Sequence, residues 1–291
     1  MAAIKGNYHT HSLYSDGKAT LEAYIEEAMV QGLHYLGFSE HSPLPFPNTF
    51  ALQQGKIGEY AAEVRRLKRQ NYCYTASLQG TVAPVLFAGL EMDYIPGISE
   101  NFHHIRQQYH LDYIIGSVHL VLNEKADGLW FIDGPSSQIY DDGLTFYFNG
   151  DIKKAVTAYY RQLQQMIQQE TFDVIGHFDK IKMHNQNRFF NEEESWYRSL
   201  VFETLNNIKE KNLMVEVNTR GIYKKRSSTL FPGEWVLKEI NQMGIPVIIS
   251  SDAHTPVELT SLFDETVNQL IALGFTSVRL LTEKGWIDHP V

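Results

Sequence analysis

The stretch Asn7-Tyr8-His9-Thr10-His11-Ser12-Leu13-Tyr14-Ser15-Asp16-Gly17 ends a short apolar run with two histidines one residue apart and an aspartate just beyond. In an extended chain residues i and i+2 point to the same side, so His9 and His11 can aim both imidazoles at one point. That is a metal-ligating geometry. A lone His-x-His pair also occurs on ordinary strands, so its meaning depends on what the rest of the chain brings beside it.

Beyond this stretch, short apolar runs alternate with longer amphipathic ones. Strands are predicted at residues 4–9, 35–39, 85–90, 113–118, 172–176, 213–217 and 246–249. The first helix carries Leu21, Tyr24, Ile25, Ala28 and Met29 on one face, with Thr20 as N-cap and Gly32 as its stop. Further helices are expected at 54–70, at 100–110, after a cap at Asp151, at 193–211, and between Pro232-Gly233 and Gly244. A last one should start at Thr255-Pro256-Val257-Glu258, a capping box with Pro at its first position. Strand–helix alternation of this kind specifies a parallel sheet covered by helices. Residues 120–150 show no period and are rich in aromatics; they read as a loop or insert poised as a lid. Residues 278–281 read as an edge strand or packed extension. With no repeat, linker or low-complexity tract, residues 1–291 are expected to form one domain.

Composition narrows the function. The chain is 43% hydrophobic and 20% charged, as globular proteins are. Its net charge of −9 argues against binding the nucleic-acid backbone. It does not argue against anionic substrates, because bound divalent ions reverse the local field. No apolar run reaches the ~20 residues of a membrane span, and Met-Ala-Ala-Ile-Lys-Gly lacks a signal-peptide core, so a cytoplasmic protein is expected. The single Cys73 allows neither an internal disulfide nor a zinc ribbon and reads as a thiol near a helix end.

The strand ends carry the chemistry. Six of the seven are followed closely by metal-ligand types: His9 and His11, Glu40 and His41, Glu91, His119, His177, and Asp252 with His254. In a parallel βα barrel all C-terminal strand ends share one face, so these groups converge. Imidazoles mixed with carboxylates suit zinc, iron or manganese better than magnesium. The groups outnumber what one ion can take, so two or three ions are expected, with Glu91 as the bridge. The histidines at 34, 103, 104, 110, 184 and 289 fall elsewhere and read as ordinary solvated residues.

The ordered motifs His-x-His with Ser-Asp-Gly, Ser-Glu-His, Gly-Leu-Glu, Gly-Ser-Val-His, Gly-His-Phe-Asp and Ser-Asp-Ala-His run from residue 9 to 254. In these the chain resembles the polymerase and histidinol phosphatase (PHP) family, most closely its histidinol-phosphatase branch. The resemblance implies a distorted seven-stranded (β/α)7 TIM-like barrel holding three divalent ions. By that likeness His9, His11, Glu91 and Asp252 form one subsite, Glu91, His119 and His177 a second, and Asp16, His41 and His254 a third. Many members of the family carry a histidine where this chain has Asp16.

The activity implied is hydrolysis of L-histidinol phosphate to L-histidinol and phosphate, a step of histidine biosynthesis, by a metal-bridging hydroxide. Glu91, Asp252 and His254 would be catalytic, the last two as proton carriers. Arg161, Lys180, Arg220 and His41 are the candidates to bind the ester. The partner is then a small-molecule phosphate ester, not nucleic acid or membrane. Two alternatives are a phosphoesterase acting on nucleotides or DNA ends, and a catalytically silent metal-binding module. The acidic charge opposes the first, and the full set of ligand positions opposes the second.

Overall fold

In the computed structural model, residues 4–77, 83–123, 125 and 127–291 are described, with backbone alone for 72–77; the thiol of Cys73 lies outside the described residues. The strands are β1 (Gly6–Asn7), β2 (Tyr35–His41), β3 (Val85–Asp93), β4 (Tyr113–Ser117), β5 (Leu120–Leu122), β6 (Leu129–Phe131), β7 (Val174–Ile175), β8 (Met214–Asn218), β9 (Val247–Ser250), β10 (Ser277–Thr282) and β11 (Gly285–Pro290). The helices are α1 (Leu21–Val30), α2 (Ile57–Ser77), α3 (Phe102–Tyr109), α4 (Ser137–Phe148), α5 (Ile152–Gln169), α6 (Ser195–Glu210), α7 (Arg220–Tyr223), α8 (Glu234–Met243) and α9 (Phe263–Ala272).

Seven strands form one sheet in the order β1-β2-β3-β4-β7-β8-β9, every neighbouring pair parallel. The sheet curls until its two ends meet. A parallel bridge joins Thr10 to Ala253, with His11 N–H donating to the Ala253 carbonyl at 2.9 Å and Ala253 N–H to the His9 carbonyl at 3.0 Å. The result is a nearly closed seven-stranded α/β barrel, the architecture expected from the alternating runs. Thr20 and Asp151 cap α1 and α5 as predicted, accepting from the backbone of Ala23 and Lys154.

Three local expectations are corrected. The segment read as a loop or insert holds regular structure: β5 and β6 pair as an antiparallel hairpin and α4 follows. Trp130 is fully buried there, its ring 4.6 Å from that of Tyr140 and 5.5 Å from Phe148. The buried Gln162 amide donates to the Tyr94 and Leu120 carbonyls and accepts from Leu122 N–H, pinning the hairpin to α5. The capping box at Thr255 and Glu258 is present but starts a 3-10 turn, Pro256–Glu258, while α9 begins only at Phe263. The Glu258 carboxylate also pairs with Lys224 and Arg220, which holds the turn against α7. Lastly, the run at 278–281 belongs to β10, which pairs not with the barrel sheet but with β11 in a hairpin.

The opposite end of the barrel is plugged by tyrosines. The Tyr113 hydroxyl lies 2.5 Å from the Tyr8 carbonyl and 3.0 Å from that of Phe38, and Trp286 of β11 packs edge-on against both Tyr8 and Tyr113. Each is a polar tip satisfied inside an apolar body, which lets a large ring fill the interior without an orphaned hydroxyl. The Tyr113 ring crosses Gly89 so closely that a Cβ there would fall 2.4 Å from it. Gly89→Ala is therefore expected to overpack the interior and cost about 1–3 kcal/mol, seen as a lower urea midpoint with an unchanged slope.

Candidate metal centre

Because β-strand side chains alternate, residues two apart at a strand end share a face and adjacent ones do not. His41 therefore faces the barrel mouth in register with Glu91. Its neighbour Glu40 points away, accepting from Ser12 N–H and the Ser12 and Ser15 hydroxyls. The expectation that Glu40 is a ligand is thus corrected: it anchors the loop that carries Asp16. Gly17 lets that loop fold back, since a Cβ there would sit 1.9 Å from the His11 carbonyl.

Nine side chains converge at the mouth: His9, His11, Asp16, His41, Glu91, His119, His177, Asp252 and His254. Glu91 is central. Its Oε2 lies 3.1 Å from His9 Nε2, 3.5 Å from His11 Nε2 and 3.0 Å from His41 Nδ1. Its Oε1 lies 2.9 Å from His177 Nε2 and 3.5 Å from His119 Nε2, and accepts the Ser117 hydroxyl at 2.7 Å. Asp252 Oδ1 is 3.5 Å from His11 Nε2 and 3.8 Å from His9 Nε2. Asp16 Oδ1 is 3.2 Å from His254 Nε2 and 3.8 Å from His41 Nε2. His177 and Asp252 hold left-handed backbone, φ 44° and 52°, a conformation such residues seldom adopt, and it turns each side chain inward at its strand end.

Several of these atoms, His9 Nε2, His11 Nε2, His41 Nδ1, Asp16 Oδ1 and Glu91 Oε2, are buried without a hydrogen-bond partner. Orphaned donors and acceptors are costly in an interior, and here they all face one another. The residues at the mouth sort into groups whose ligand atoms lie within 4.8 Å of one another: His9, His11 and Asp252; Glu91, His119 and His177; His11, Asp16, His41 and His254; and His41, Asp93 and His119. A mixed nitrogen and oxygen donor set of this size fits zinc, iron or manganese. The electrostatics agree. Burial opposes ionisation of Glu91, yet His9, His41 and His119 hold its carboxyl well below the usual range. Asp252 is likewise held down against burial, by His9 and Arg220. His9 is raised well above an ordinary imidazole because Glu216, Glu91 and Asp252 overcome its burial, and His119 is pushed up to about 9 as Asp93 and Glu91 overcome its own. His11 is driven down by burial and by His41 and His254. The carboxylates thus create a field that demands positive charge at the mouth.

Beside the cluster lies a cavity of about 230 Å³ whose walls include His41, Phe50, Phe131, Asp133, Lys180 and Arg226. Lys180 Nζ is 2.9 Å from Asp133 and 3.8 Å from Asp252. Arg220 also lines it, donating to the Asp252 carbonyl at 2.6 Å. Of the four expected ester-binding residues, His41, Lys180 and Arg220 meet here and Arg161 does not. Arg161 is more than half exposed on the outer side of α5, paired with Glu203 at 2.5 Å and bonded to Gln164 at 2.6 Å. Its helix turns Tyr160, Gln162 and Leu163 toward the core and leaves position 161 outward.

Sequence reasoning missed Asp93, Glu216, Asp133, Phe50, Phe131 and Arg226. Asp93 carried a signal, standing two residues after Glu91 and so on the same face. So did Glu216, a charge inside an apolar strand. Asp179 of Gly-His-Phe-Asp is structural: it accepts from Gly233 N–H at 2.8 Å and pairs with the buried Lys182 at 2.7 Å. His34, His103, His104, His110, His184 and His289 lie outside all the ligand groups, as expected.

The PHP domain family model matches residues 7–220. The chain belongs to the PHP family. The match stops short of Asp252 and His254, which reach the cluster because the barrel closes at Ala253. The PHP chain is 26% identical over 262 residues to a protein of Bacillus subtilis named histidinol-phosphatase, covering 86% of this chain and 92% of that one. Its fold matches the crystal structure of a Listeria monocytogenes protein with a TM-score of 0.74 at 17% identity, covering 90% and 99% of the two chains. It also matches histidinol phosphate phosphatase of Lactococcus lactis, described in complex with zinc, L-histidinol and phosphate, with a TM-score of 0.66 at 20% identity over 98% and 100%. Among the described residues no helix of the PHP chain is long and apolar enough to cross a membrane.

An exposed pair like Arg161 with Glu203 contributes little. Arg161→Ala is expected to leave the urea midpoint within about 0.5 kcal/mol of wild type and the metal content unchanged, whereas Lys180→Ala, which strips a buried cation from Asp133 and Asp252, should lower the midpoint clearly.

Proposed function

We propose that this chain is a metal-dependent phosphomonoesterase that hydrolyses L-histidinol phosphate to L-histidinol and phosphate. The observation that carries the reaction class is the convergence of imidazoles and carboxylates on the two oxygens of Glu91, with their buried ligand atoms unpartnered, beside a small polar cavity. The names of the Bacillus subtilis and Lactococcus lactis relatives support the substrate.

In this reading His9, His11, Glu91 and Asp252 hold one divalent ion, Glu91, His119 and His177 a second, and Asp16, His41 and His254 a third, as zinc, iron or manganese. When bound, such ions offset the charge of the phosphoryl oxygens and lower the pKa of water, so that a nucleophile exists near neutral pH. The chain's own residues do the rest. Lys180, its charge already balanced by Asp133 and Asp252, presents a fixed donor to the ester, a charge-assisted hydrogen bond of the stronger kind. Arg220 is committed to the Asp252 carbonyl and so holds the strand-end turn in shape as well as lining the cavity. As a water oxygen bonds to phosphorus and the bond from phosphorus to the ester oxygen breaks, the proton given up by that water must reach the departing alkoxide, and Asp252 or His254 at the cavity wall would take it up and relay it there.

We read residues 1–291 as one functional unit and the 120–150 segment as a wall of the pocket. Phe131, Asp133 and Pro135 line the cavity while Trp130 and Tyr140 are rooted in the core, and the Tyr140 hydroxyl bonds the Ile181 carbonyl at 3.1 Å. The net charge of −9 disfavours the alternative of nucleotide or DNA-end substrates.

The purified protein is expected to contain more than one transition-metal ion per chain by elemental analysis. In a phosphate-release panel its kcat/KM for L-histidinol phosphate should exceed that for mononucleotides by at least about 100-fold, a difference of about 2.7 kcal/mol; a preference for nucleotides or oligonucleotides would reverse the substrate assignment. Glu91→Gln and Asp252→Asn should each lower kcat by about 10³-fold or more, the several kcal/mol a metal site supplies, while circular dichroism and cooperative melting remain those of a folded chain.

A further inference from the structure

Two buried carboxylates stand behind the cluster without facing the cavity. Glu216, on β8, is fully buried. Its Oε1 lies 2.5 Å from His9 Nδ1 and also accepts the Ser250 hydroxyl, while its Oε2 lies 3.2 Å from Asn218 Nδ2. Asp93, at the end of β3, is equally enclosed, its Oδ1 2.9 Å from both the backbone N–H and the Nδ1 of His119. A carboxylate can only accept, so each of these contacts makes Nδ1 a donor, and with an ion bound at the mouth Nε2 would be the nitrogen that ligates it. In both histidines that Nε2 faces Glu91: His9 toward Oε2 at 3.1 Å and His119 toward Oε1 at 3.5 Å. Each oxygen of the central carboxylate therefore has one imidazole across from it whose tautomer and ring plane are locked from behind.

The remaining group has no such dedicated carboxylate and is held more weakly from behind. His41 has no carboxylate behind it, since its two ring nitrogens face Glu91 and Asp16, both of the cluster itself. His254 Nδ1 lies 3.0 Å from the Asp252 backbone carbonyl, a neutral acceptor, and 3.5 Å from Asp252 Oδ1, which itself belongs to the cluster. Asp16 is a quarter exposed on a loop.

We propose that Glu216 and Asp93 are positioning residues that rank the subsites by affinity: the two built on His9 and His119 hold their ions tightly, and the third, of Asp16, His41 and His254, releases its ion first. This rests on the metal reading of the preceding subsection but not on its substrate. Carboxylates behind a ligating histidine fix the ring and raise its basicity, and their loss costs about 10- to 100-fold in metal affinity.

The test counts ions. Protein loaded with Mn2+ is equilibrated against chelators of increasing strength, and manganese per chain is measured by elemental analysis on the folded fraction, with melting curves alongside. Wild type should lose one ion well before the other two. Glu216→Gln and Asp93→Asn, each keeping the size of the side chain, should each release one further ion at about 10- to 100-fold weaker chelation. A purely structural role would lower the melting temperature and leave ion retention unmoved, which would overturn the proposal, as would release of all ions from wild type in one step. If one variant does not fold, the other and the wild-type release order still decide. A wild type that takes up no manganese would sink the metal reading together with this one, whereas normal wild-type loading with unmoved variants sinks this one alone.

Discussion

Two hydrogen bonds between residues 9–11 and Ala253 carry a disproportionate share of the structure. They close a sheet whose end strands are some 240 residues apart in the chain, and they do so at the level where the ligand-type side chains emerge. A parallel sheet left open would place His9 and His11 on one edge and Asp252 and His254 on the other. Closure instead brings the His11 ring to 4.4 Å from that of His254. The same contact removes two strand edges that would otherwise present unpaired backbone groups. Fold and site are in this sense one event, since the barrel cannot shut without assembling the cluster.

That cluster is also a burden on the fold. Glu91, Asp93, Glu216 and Asp252 are almost wholly enclosed, and gathering carboxylates away from water is unfavourable unless positive charge is supplied. The imidazoles meet part of that demand, and so do Lys180 and Arg220, which are buried or nearly so beside Asp133 and Asp252. At the other end the barrel is closed by Tyr8 and Tyr113, whose hydroxyls are satisfied by backbone carbonyls, with Trp286 packed edge-on against both. One end is thus filled with groups content in an apolar interior, and the other with groups that need a cation.

Much of this was legible in the residue order. Apolar runs of four to six residues give strands, and histidines or carboxylates at their ends give the cluster, because pleating and parallel pairing fix where those side chains go. The same rule, applied to adjacent residues, should have turned Glu40 away when His41 was turned in. Other features depend on distance in the chain. The contact of His9 with Glu216 spans 207 residues, and neither residue alone betrays it. Arg161 sits on a strongly amphipathic helix, but a cation at its margin points inward or outward according to a neighbour, α6, that the local sequence does not name. The β5 and β6 strands are three residues each, too short to display a period, and α4 contains Gly143 and two aspartates, which blur its helical signal.

The 120–150 hairpin and helix contribute Phe131, Asp133 and Pro135 to the cavity, while every ligand-type residue comes from the barrel strands and their loops. Part of the pocket wall and the ligand groups are therefore written on separate stretches of the chain, coupled through Asp133, which pairs with Lys180 and lies 3.9 Å from His119 Nε2. An exchange at Phe131 or Pro135 can reshape one wall of the cavity, whereas Asp16, His41, His119, Asp252 and His254 line that cavity and belong to the ligand groups at once.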